Sequence, residues 1–549
     1  MAAKPVDYSL YLVTDSTPAI LGDKDLVDVV KQAVAGGKSR APSHPPRRTT
    51  HHSHATPSPS GATVVQYRDK TSDTADLVRI AKQLHQVTHP AGIPLLINDR
   101  VDVALAAGVE GVHLGQDDLD LPTARRLLGP DALIGVTANS LDEALAAARD
   151  GADYLGLGTV YATPTKLNTK SVIGPAGVQH ILAGLVRAGH PAIKTVCIGG
   201  INASNCQRIL YQAASPEKPL DGVAVVSAII ASPKPHQAAS HLRSLLSQPP
   251  PFATPSSSPT SPATPLTPES IIARAPTLIA HLAQTTPLNH NMTNLVVQNF
   301  AANVALAIGS SPIMSTNPAE AADLAALGGS LVVNMGTTTP DVRASHLRAV
   351  EAYNAVGGPV VLDPVGAGAT AERREGVRAL LRGGYFDVVK GNEGEIRTVE
   401  GGGSGVRQRG VDSGPAVLGR AERVELVRGL ARRERNVVLM TGVADVVSDG
   451  ARTVVVSNGC AWLGEITGAG CALGTAVAGC VAVERGDKLL AVVVAVLMFE
   501  IAAERAAERE GVRGPGTFVP AFLDELFAIR RESLEGVGGW AERARVEVV

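Results

Sequence analysis

Charged side chains in the first half of the chain have the spacing of a pyrophosphate-binding site. Arg68 and Lys70 alternate with Tyr67 and Asp69, so the two cations fall on one face of an extended segment. Two cations on one face suit a pyrophosphate, whose oxygens accept charge-assisted hydrogen bonds. A solvated polar loop is the alternative interpretation of this motif.

Two aspartates in the same half could hold a divalent metal. Asp99, in Asn98-Asp99-Arg100, follows one candidate strand, and Asp118, in Gly115-Gln116-Asp117-Asp118, follows the next. Mg²⁺ is usually held by one or two carboxylates together with substrate phosphate, so the pair predicts a magnesium site. Either aspartate could instead cap the N-terminus of a helix.

A second phosphate site is indicated further along the chain. Hydroxyls and a lysine occur together in Thr163-Pro164-Thr165-Lys166, while Gly199-Gly200 and Val226-Ser227 follow two later candidate strands. Backbone N–H groups in glycine turns and at helix N-termini bind phosphate. We therefore expect one magnesium ion, one pyrophosphate and one separate monophosphate in this half.

In the second half, the motif with the clearest chemistry is a glycine turn that carries a cysteine. Gly468-Ala469-Gly470-Cys471 precedes the apolar helical pattern Ala472–Val483. A glycine turn at a helix N-terminus forms an anion hole, and the helix dipole there favours the thiolate form of Cys471. A tightly packed turn with a buried structural cysteine is the alternative.

Short apolar strands alternate with helical patterns through the first half and would bring its motifs together. The candidate strands are Ser9–Thr14, Thr63–Tyr67, Pro94–Ile97, Gly111–Leu114, Leu133–Val136, Tyr154–Leu157, Ile193–Ile198 and Gly222–Val226. Eight strand–helix units in roughly 245 residues predict an α/β fold of the (β/α)8 TIM-barrel type. Chemistry in such barrels lies at the carboxyl ends of the strands, where these polar motifs fall. The second half is again α/β but less regular.

Two low-complexity segments divide the chain. Lys38–Ser60 is expected to be a disordered insertion, although its histidines His51, His52 and His54 could bind a metal. Pro249–Pro268 consists almost entirely of Pro, Ser, Thr and Ala and is expected to be a linker. The predicted domains are therefore residues 1–247, containing the 38–60 insertion, and residues 269–549, joined by a linker over 248–268.

Composition and charge exclude some classes of protein. The 549 residues carry 50 Lys and Arg against 52 Asp and Glu, which argues against a nucleic-acid partner. The longest apolar run, Leu489–Phe499, is too short to span a bilayer and is expected to be a buried helix. The five cysteines lack CxxC spacing, and the N-terminus lacks the pattern of a secretory signal. We therefore expect a cytoplasmic protein with no membrane partner.

The barrel motifs together resemble the thiamine-phosphate synthase family over about residues 6–245. The matching motifs are Gln66-Tyr67-Arg68-Asp69-Lys70, Asn98-Asp99-Arg100, Gly111-Val112-His113-Leu114-Gly115-Gln116-Asp117-Asp118, Thr163-Pro164-Thr165-Lys166, Ile198-Gly199-Gly200-Ile201 and Val225-Val226-Ser227-Ala228-Ile229. The resemblance implies an enzyme whose substrates are small molecules. It would join hydroxymethylpyrimidine diphosphate to hydroxyethylthiazole phosphate and release pyrophosphate.

The resemblance also assigns residues to the two substrates and the metal. Those expected to bind the pyrimidine diphosphate are Gln66, Arg68, Lys70, Asn98, Thr137 and Lys166, and those expected to bind the thiazole phosphate are Thr163, Thr165, Gly200, Val226 and Ser227. Asp99 and Asp118 are expected to hold Mg²⁺, and Lys166 is expected to neutralise the departing pyrophosphate. Thr137 stands where the family usually has serine, and Asn139 replaces a common histidine.

Motifs over about residues 270–530 resemble the hydroxyethylthiazole kinase family. They are Asn289-His290-Asn291-Met292-Thr293-Asn294, Gly309-Ser310-Ser311-Pro312-Ile313-Met314, Asn334-Met335-Gly336-Thr337, Asp363-Pro364-Val365-Gly366, Lys390-Gly391-Asn392-Glu393-Gly394-Glu395, Gly410-Val411-Asp412-Ser413, Ile466-Thr467-Gly468-Ala469-Gly470-Cys471 and Gly514-Pro515-Gly516-Thr517-Phe518. The resemblance implies a ribokinase-like three-layer α/β domain. It also implies ATP as co-substrate and a homo-oligomer, either a trimer or a hexamer.

The kinase resemblance assigns residues as well. Met314 and Gly468 are expected to contact the thiazole alcohol, and Lys390 and Thr441 to contact ATP. Gly468, Gly470 and Cys471 form the catalytic turn, with Cys471 where related kinases carry an aspartate base. Whether Cys471 acts as a base or only positions the hydroxyl stays open. Asp363 and Glu395 are expected near Mg²⁺, although Glu395 could instead be a surface charge on a helix.

The two resemblances describe consecutive steps. The second half would phosphorylate hydroxyethylthiazole with ATP, and the first half would condense the product with the pyrimidine diphosphate to give thiamine phosphate. The hypothesis is therefore a bifunctional enzyme of thiamine biosynthesis. Two alternatives are that one half alone is active, and that the chain is a non-catalytic sensor of thiamine phosphates.

Overall fold

The computed structural model divides the chain into two compact units, Met1–Pro250 and Pro251–Val549. The structure describes residues 6–35, 61–163, 172–215, 217–253, 266–401 and 418–549. The predicted insertion over 38–60 and residues 254–265 of the predicted linker lie outside these ranges. Each unit is described by itself below.

Phe252, within the predicted linker, is part of the second unit and packs inside it. Phe252 is buried, and its ring stacks on that of Tyr385 with the centroids 4.4 Å apart. Lys488 Nζ donates a hydrogen bond to the carbonyl oxygen of Phe252 at 2.9 Å. Phe252, an isolated aromatic residue in the predicted linker, supplies apolar surface that anchors the chain at this position.

The first unit is built on a closed barrel of eight parallel strands in the order β1 to β8. The strands are β1 (Leu10–Val13), β2 (Val64–Tyr67), β3 (Leu95–Asn98), β4 (Gly111–Leu114), β5 (Leu133–Ala138), β6 (Tyr154–Leu157), β7 (Lys194–Ile198) and β8 (Gly222–Val225). All eight predicted strands are present. The largest difference is in β5, which continues two residues beyond the predicted end and so includes Thr137.

Alternating residues along the strands separate the barrel interior from its helical jacket. In β1, Leu10 and Leu12 belong to the large core shared with the helices, whereas Tyr11 and Val13 belong to the smaller cluster inside the barrel. This period of two is the pattern of a strand buried on both faces. In β2 the same alternation places Val64 inside the barrel and Val65 against the helices.

Ten helices lie around the barrel within the described residues of this unit. They are α1 (Pro18–Leu21), α2 (Leu26–Val34), α3 (Thr74–Thr88), α4 (Val101–Ala107), α5 (Leu121–Leu128), α6 (Leu141–Arg149), α7 (Gly174–Arg187), α8 (Cys206–Ala213), α9 (Ser227–Ile230) and α10 (Pro235–Leu246), with a 3-10 turn at His89–Ala91. Side chains close several N-termini: Asp120 accepts a hydrogen bond from the N–H of Thr123 in α5, and Ser140 accepts one from Glu143 in α6.

The second unit is built on a sheet of nine strands in the order β10-β9-β11-β12-β13-β14-β15-β16-β17. The strands are β9 (Leu288–Met292), β10 (Ser311–Ile313), β11 (Ser330–Asn334), β12 (Val360–Asp363), β13 (Val388–Asn392), β14 (Val437–Thr441), β15 (Asp445–Ser448), β16 (Thr453–Val456) and β17 (Val546–Val548). Strands β9 to β14 are parallel, and β14 to β17 pair antiparallel. The sheet is therefore mixed.

Helices cover both faces of this sheet. They are α11 (Pro268–Thr285), α12 (Gln298–Ile308), α13 (Ala321–Ala326), α14 (Pro340–Val356), α15 (Ala371–Gly383), α16 (Glu393–Glu400), α17 (Arg420–Glu434), α18 (Ala469–Val483), α19 (Lys488–Ala507) and α20 (Pro515–Leu534), with 3-10 turns at Ala461–Gly464 and Gly539–Arg543. Alternate residues of one strand enter different cores: in β11, Val332 joins the core containing α18 and α19, and Val333 joins the core containing α14.

The longest apolar run of the sequence forms the middle of α19. Every residue of Leu489–Phe499 is buried, which confirms the prediction of a buried helix. Among the helices that the structure describes, none is long and apolar enough to cross a membrane.

Candidate active sites

The two predicted cations after β2 are each paired with a carboxylate from a neighbouring strand end. Arg68 Nη1 lies 3.1 Å from Asp15 Oδ2, and Lys70 Nζ lies 3.2 Å from Asp99 Oδ2. Asp15, which follows β1, is buried. These pairs position both basic groups at the carboxyl end of the barrel before any anion binds. Sequence reasoning missed Asp15, because no motif marks it.

The two predicted metal-binding aspartates lie next to each other. Burial raises the pKa of the Asp118 carboxyl, and the neighbouring Asp99 carboxylate raises it further. Asp118 Oδ2 also accepts a hydrogen bond from the N–H of Gly115 at 2.7 Å. The N-caps of α4 and α5 are Arg100 and Asp120. The helix-cap alternative is therefore wrong for both Asp99 and Asp118.

A continuous chain of hydrogen bonds crosses the barrel interior between two predicted substrate residues. Gln66 Nε2 donates to the Tyr11 hydroxyl at 2.9 Å, and the Tyr11 and Tyr154 hydroxyls are 2.7 Å apart. His113 Nδ1 lies 2.7 Å from the Tyr154 hydroxyl, and His113 Nε2 lies 2.8 Å from Thr137 Oγ1. We call these five residues the barrel relay. Burial raises the pKa of both tyrosines, so their hydroxyls stay protonated.

Sequence reasoning did not assign a role to the three middle residues of the barrel relay. Tyr11, His113 and Tyr154 lie within apolar strands, and each was interpreted as part of a strand. The available signal was the period of two, which places alternate strand residues inside a barrel. Tyr11 and Tyr154 are buried there, so their hydroxyls must find partners inside the barrel.

The two predicted asparagine positions differ in their surroundings. Asn98 is the last residue of β3 and pairs in register with His113. Asn139 precedes α6, where its backbone N–H donates to Glu143 Oε2 at 2.6 Å. The Asn139 side-chain amide lies 3.4 Å from the same oxygen. Asn139 thus supports the start of α6.

The last three strands of the barrel end in the predicted monophosphate site. Gly200 has a φ of +65°, and a Cβ there would lie 2.8 Å from Tyr161 Cβ, so a glycine is required. Val226 is the N-cap of α9, and Ser227 is its first residue. Thr163 is half-buried in the loop after β6. Thr165 and Lys166 lie outside the described residues.

In the second unit, the predicted anion-hole turn begins helix α18. Gly468 is the N-cap of this helix with a φ of +86°, and a Cβ there would lie 2.6 Å from Val297 Cγ2. Gly470 and Cys471 fall in the first turn, where backbone N–H groups lack partners within the helix. The turn therefore presents donors and the positive end of the helix dipole to an anion.

A buried ion pair lies beside this turn. Lys390 Nζ is 3.2 Å from Asp363 Oδ1, and the side chains are 5% and 0% exposed. Asn334 Nδ2 donates to Asp363 Oδ2 at 2.9 Å. Asn294 Nδ2 lies 2.9 Å from Asn334 Oδ1 and 3.4 Å from Cys471 Sγ. The pairing of β11 with β12 sets Asn334 opposite Asp363.

The charge state of Cys471 differs from the prediction. Burial raises the pKa of the thiol to about 11, and the nearby Asp363 carboxylate acts in the same direction. The helix dipole and Lys390 do not overcome these two effects, so the thiol is protonated at neutral pH. The expectation of a thiolate is therefore wrong. Burial acts to lower the pKa of Lys390, but Asp363 raises it, and Lys390 keeps its charge.

Glu395 is buried at the start of α16. Its Oε1 accepts the N–H of Gly366 and its Oε2 accepts the N–H of Asn392, both at 2.8 Å. Together with Asn392 it forms a capping box. Burial and the Asp363 charge raise the pKa of Glu395 to about 7. The surface-charge alternative is therefore wrong.

Thr441 and Met314, the other predicted kinase contacts, end two strands of the same sheet. Thr441 is the last residue of β14 and pairs with Asn392 of β13. The following turn is closed by Asp445 Oδ1, which accepts the N–H of Gly442 at 2.9 Å. Met314 is half-buried directly after β10. Both strands belong to the parallel part of the sheet, so the residues lie at its carboxyl edge.

Each of the two α/β units places cations close to backbone N–H groups at the carboxyl edge of its parallel strands, an arrangement typical of enzymes that act on phosphate groups. Comparison with known families agrees. The model of the thiamine monophosphate synthase family matches residues 10–229, and that of the hydroxyethylthiazole kinase family matches residues 279–532.

Relatives that carry both parts are similar over nearly the whole chain. Identity is 40% to a probable thiamine biosynthetic bifunctional enzyme of Schizosaccharomyces pombe, covering 99% of each chain. It is 34% to the thiamine biosynthetic bifunctional enzyme of Saccharomyces cerevisiae, covering 96% of each. It is 44% to a hydroxyethylthiazole kinase of Desulforudis audaxviator, covering 49% of this chain and 93% of that one. The chain therefore belongs to the family of bifunctional thiamine biosynthetic enzymes, as the sequence predicted.

Proposed function

We propose that the carboxyl end of the barrel carries out the thiamine-phosphate synthase reaction and that the Gly468 turn carries out the hydroxyethylthiazole kinase reaction. The kinase phosphorylates the thiazole alcohol with ATP, and the synthase condenses the product with hydroxymethylpyrimidine diphosphate. The observation that supports the synthase site most directly is the meeting of Arg68, Lys70, Asp99 and Asp118 at adjacent strand ends.

In the synthase step, the bond between the pyrimidine methylene carbon and the diphosphate oxygen breaks, and its electron pair leaves with pyrophosphate. Arg68, Lys70 and Lys166 neutralise the leaving group, so they act by electrostatic stabilisation. The thiazole nitrogen then gives its lone pair to the methylene carbon. Gln66, Asn98 and Thr137 position the pyrimidine. The thiazole phosphate is held by Thr163, Thr165, Gly200, Val226 and Ser227.

The surroundings of Asp99 and Asp118 fit a magnesium ion. Burial raises the pKa of Asp118, the neighbouring Asp99 carboxylate raises it further, and Lys70 only partly offsets these effects. A site with two adjacent hard oxygen ligands and excess negative charge suits a divalent cation that also contacts substrate phosphate. When bound, Mg²⁺ would supply further charge neutralisation for the diphosphate.

In the kinase step, the thiazole hydroxyl oxygen forms a bond to the γ-phosphorus of ATP as the bond to the β-phosphate oxygen breaks and ADP leaves. The hydroxyl proton passes to an oxygen of the transferred phosphoryl group. The protonated thiol of Cys471 holds the hydroxyl rather than taking its proton. Gly468 and Gly470 supply backbone donors to the transferred phosphoryl group. Lys390 and Thr441 contact ATP, Met314 contacts the thiazole, and Asp363 and Glu395 lie near its Mg²⁺.

We also propose a ribokinase-like architecture for the second unit and a homotrimer or homohexamer for the whole chain. The first is supported by a mainly parallel sheet covered by helices on both faces, with the anion-hole helix α18 against β9, β11 and β12. The second rests on the resemblance to the kinase family. Light scattering on the purified full chain measures the oligomer, and a monomer would contradict this part.

The assignment is tested with the two activities read separately. Lys70→Ala should lower the synthase kcat/KM by about 100-fold, because one cation facing the leaving group is lost, while phosphorylation of the thiazole alcohol is unchanged. Lys82→Ala, on the exposed face of α3, is the matched control and should change neither rate. Wild-type condensation by Lys70→Ala would overturn the synthase assignment.

A further inference from the structure

Two histidines and a glutamate form a compact cluster on the barrel, away from the proposed synthase site. His85 lies in the last turn of α3, His89 directly follows this helix, and Glu110 immediately precedes β4. Helix α3 runs from the carboxyl end of β2 back to the amino end of β3, and Glu110 stands at the amino end of β4. The cluster therefore lies at the end of the barrel opposite the catalytic end.

One carboxylate oxygen faces both imidazole rings. Glu110 Oε1 lies 3.0 Å from His85 Nε2 and 3.2 Å from His89 Nδ1. The three candidate ligand atoms all lie within 4.8 Å of one another. A tetrahedral zinc ion with bonds of about 2.05 Å would hold its ligands about 3.3 Å apart. The two measured distances are already close to that separation.

The local structure turns these three side chains towards one another, and His89 is the exposed member. His89 keeps helical backbone angles, with φ of −60° and ψ of −47°, so the two histidines four residues apart share one helix face. Their ring centroids are 4.9 Å apart. The second oxygen, Glu110 Oε2, accepts the N–H of Leu95 at 2.9 Å, which leaves Oε1 turned towards the rings. Such outer hydrogen bonds orient metal ligands.

Within the described ranges, His85, His89 and Glu110 are the one group of three or more His, Cys, Asp or Glu side chains whose ligand atoms come so close.

We propose that His85, His89 and Glu110 bind a divalent transition metal of the zinc class, with water as the fourth ligand. Two imidazoles and one carboxylate are ligands that zinc prefers, whereas magnesium prefers an all-oxygen site. No residue assigned to a substrate takes part in the cluster. The ion would link the end of α3 to the start of β4.

Cobalt(II) titration of the metal-free full chain tests this proposal, because tetrahedral cobalt absorbs visible light much more strongly than octahedral cobalt. We expect one tetrahedral Co²⁺ per chain, displaced by Zn²⁺ but not by millimolar Mg²⁺. Cobalt bound through the oxygens of Asp99 and Asp118 would be octahedral and weakly coloured. His85→Ala and His89→Ala should each weaken cobalt binding by about 100-fold or more. Losing only a residue that hydrogen-bonds to a metal ligand already lowers metal affinity by about 10- to 100-fold.

Two control variants separate this cluster from other histidines. His190→Ala changes a half-buried histidine of the same barrel and should leave the cobalt spectrum unchanged. A triple variant, His51→Ala, His52→Ala and His54→Ala, removes the histidines of the insertion and should also keep it. A spectrum that survives His85→Ala and His89→Ala, or that is lost only in the triple variant, would overturn the proposal. So would weak octahedral absorption alone from the wild-type chain.

Discussion

Replacing His113 with leucine should impair the synthase and spare the kinase. The substitution removes both nitrogens from the middle of the barrel relay at nearly constant volume. Thr137 Oγ1 loses the hydrogen bond that His113 makes at 2.8 Å, while Tyr154 keeps its bond to Tyr11 at 2.7 Å. The Thr137 hydroxyl is then free to rotate away from the direction in which it would meet the pyrimidine.

The magnitude follows from the part-buried hydrogen bond that is lost. A fully buried polar group left without its partner costs roughly 1–3 kcal/mol, so the lower half of that range applies here. If the substrate complex bears about 1.4 kcal/mol of this, the synthase kcat falls about 10-fold, since each 1.36 kcal/mol is a factor of ten. The rest appears as a lower free energy of unfolding. His113→Gln, which keeps a donor and an acceptor, should recover part of the rate.

The assay measures thiamine phosphate formation at saturating thiazole phosphate, with kcat and KM for the pyrimidine diphosphate determined separately. Thiazole phosphorylation by the same preparation is an internal control, because a change confined to the barrel should leave that rate unchanged. Thr137→Val gives the second edge of a double-mutant cycle. If His113 acts through Thr137, the double variant loses no more activity than Thr137→Val alone. Losses that multiply, or a wild-type kcat for His113→Leu, would refute the reasoning.

Three further predictions concern single residues. Gly468→Ala should lower the kinase kcat by about 100-fold and leave the synthase unchanged. The reason is that φ of residue 468 is +86° and that the new Cβ would lie 2.6 Å from Val297. Phosphorylation at the wild-type rate would contradict this prediction. Because the pKa of Cys471 is about 11, the pH–rate profile of the kinase between pH 7 and 9 should have the same shape in Cys471→Ala as in the wild type. A rise in rate with pH that only the wild type shows would contradict this prediction. Asp118→Asn should abolish condensation yet raise the magnesium-free melting temperature at pH 7. The pKa of Asp118 is raised in the folded state, so its negative charge destabilises the fold at pH values above that pKa. The difference in melting temperature between Asp118→Asn and wild type should therefore vanish as the pH falls through this pKa. An unchanged melting temperature at pH 7 would count against this prediction.

The arrangement of the barrel could be predicted from the sequence because its signals are local. Each strand is an apolar run bounded by polar residues, and parallel strands must end at the same edge, so Lys70 and Asp99 had to meet. The motifs that mark the phosphate and metal positions fall just after these runs. Pattern and spacing therefore placed the charged groups, although they did not give their partners.

What the sequence did not predict depends on contacts between distant residues. Asp15 pairs with Arg68 across 53 positions, and the barrel relay joins strands far apart in the chain. The charge state of Cys471 was also beyond prediction, since it depends on burial and on the neighbouring Asp363. A helix N-terminus suggests a thiolate, but the low dielectric around a buried thiol opposes it more strongly.

The strand order of the two units has a consequence during synthesis on the ribosome. The barrel closes when β8 pairs with β1, so all its strands exist once Val225 has been made. The sheet of the second unit is completed only by β17, whose Val548 pairs with Val454 almost at the end of the chain. At 5–20 residues per second, roughly 15–60 s separate these two points. The nascent barrel can therefore be folded while the kinase unit still lacks an edge strand, and a truncated translation product would retain one complete domain.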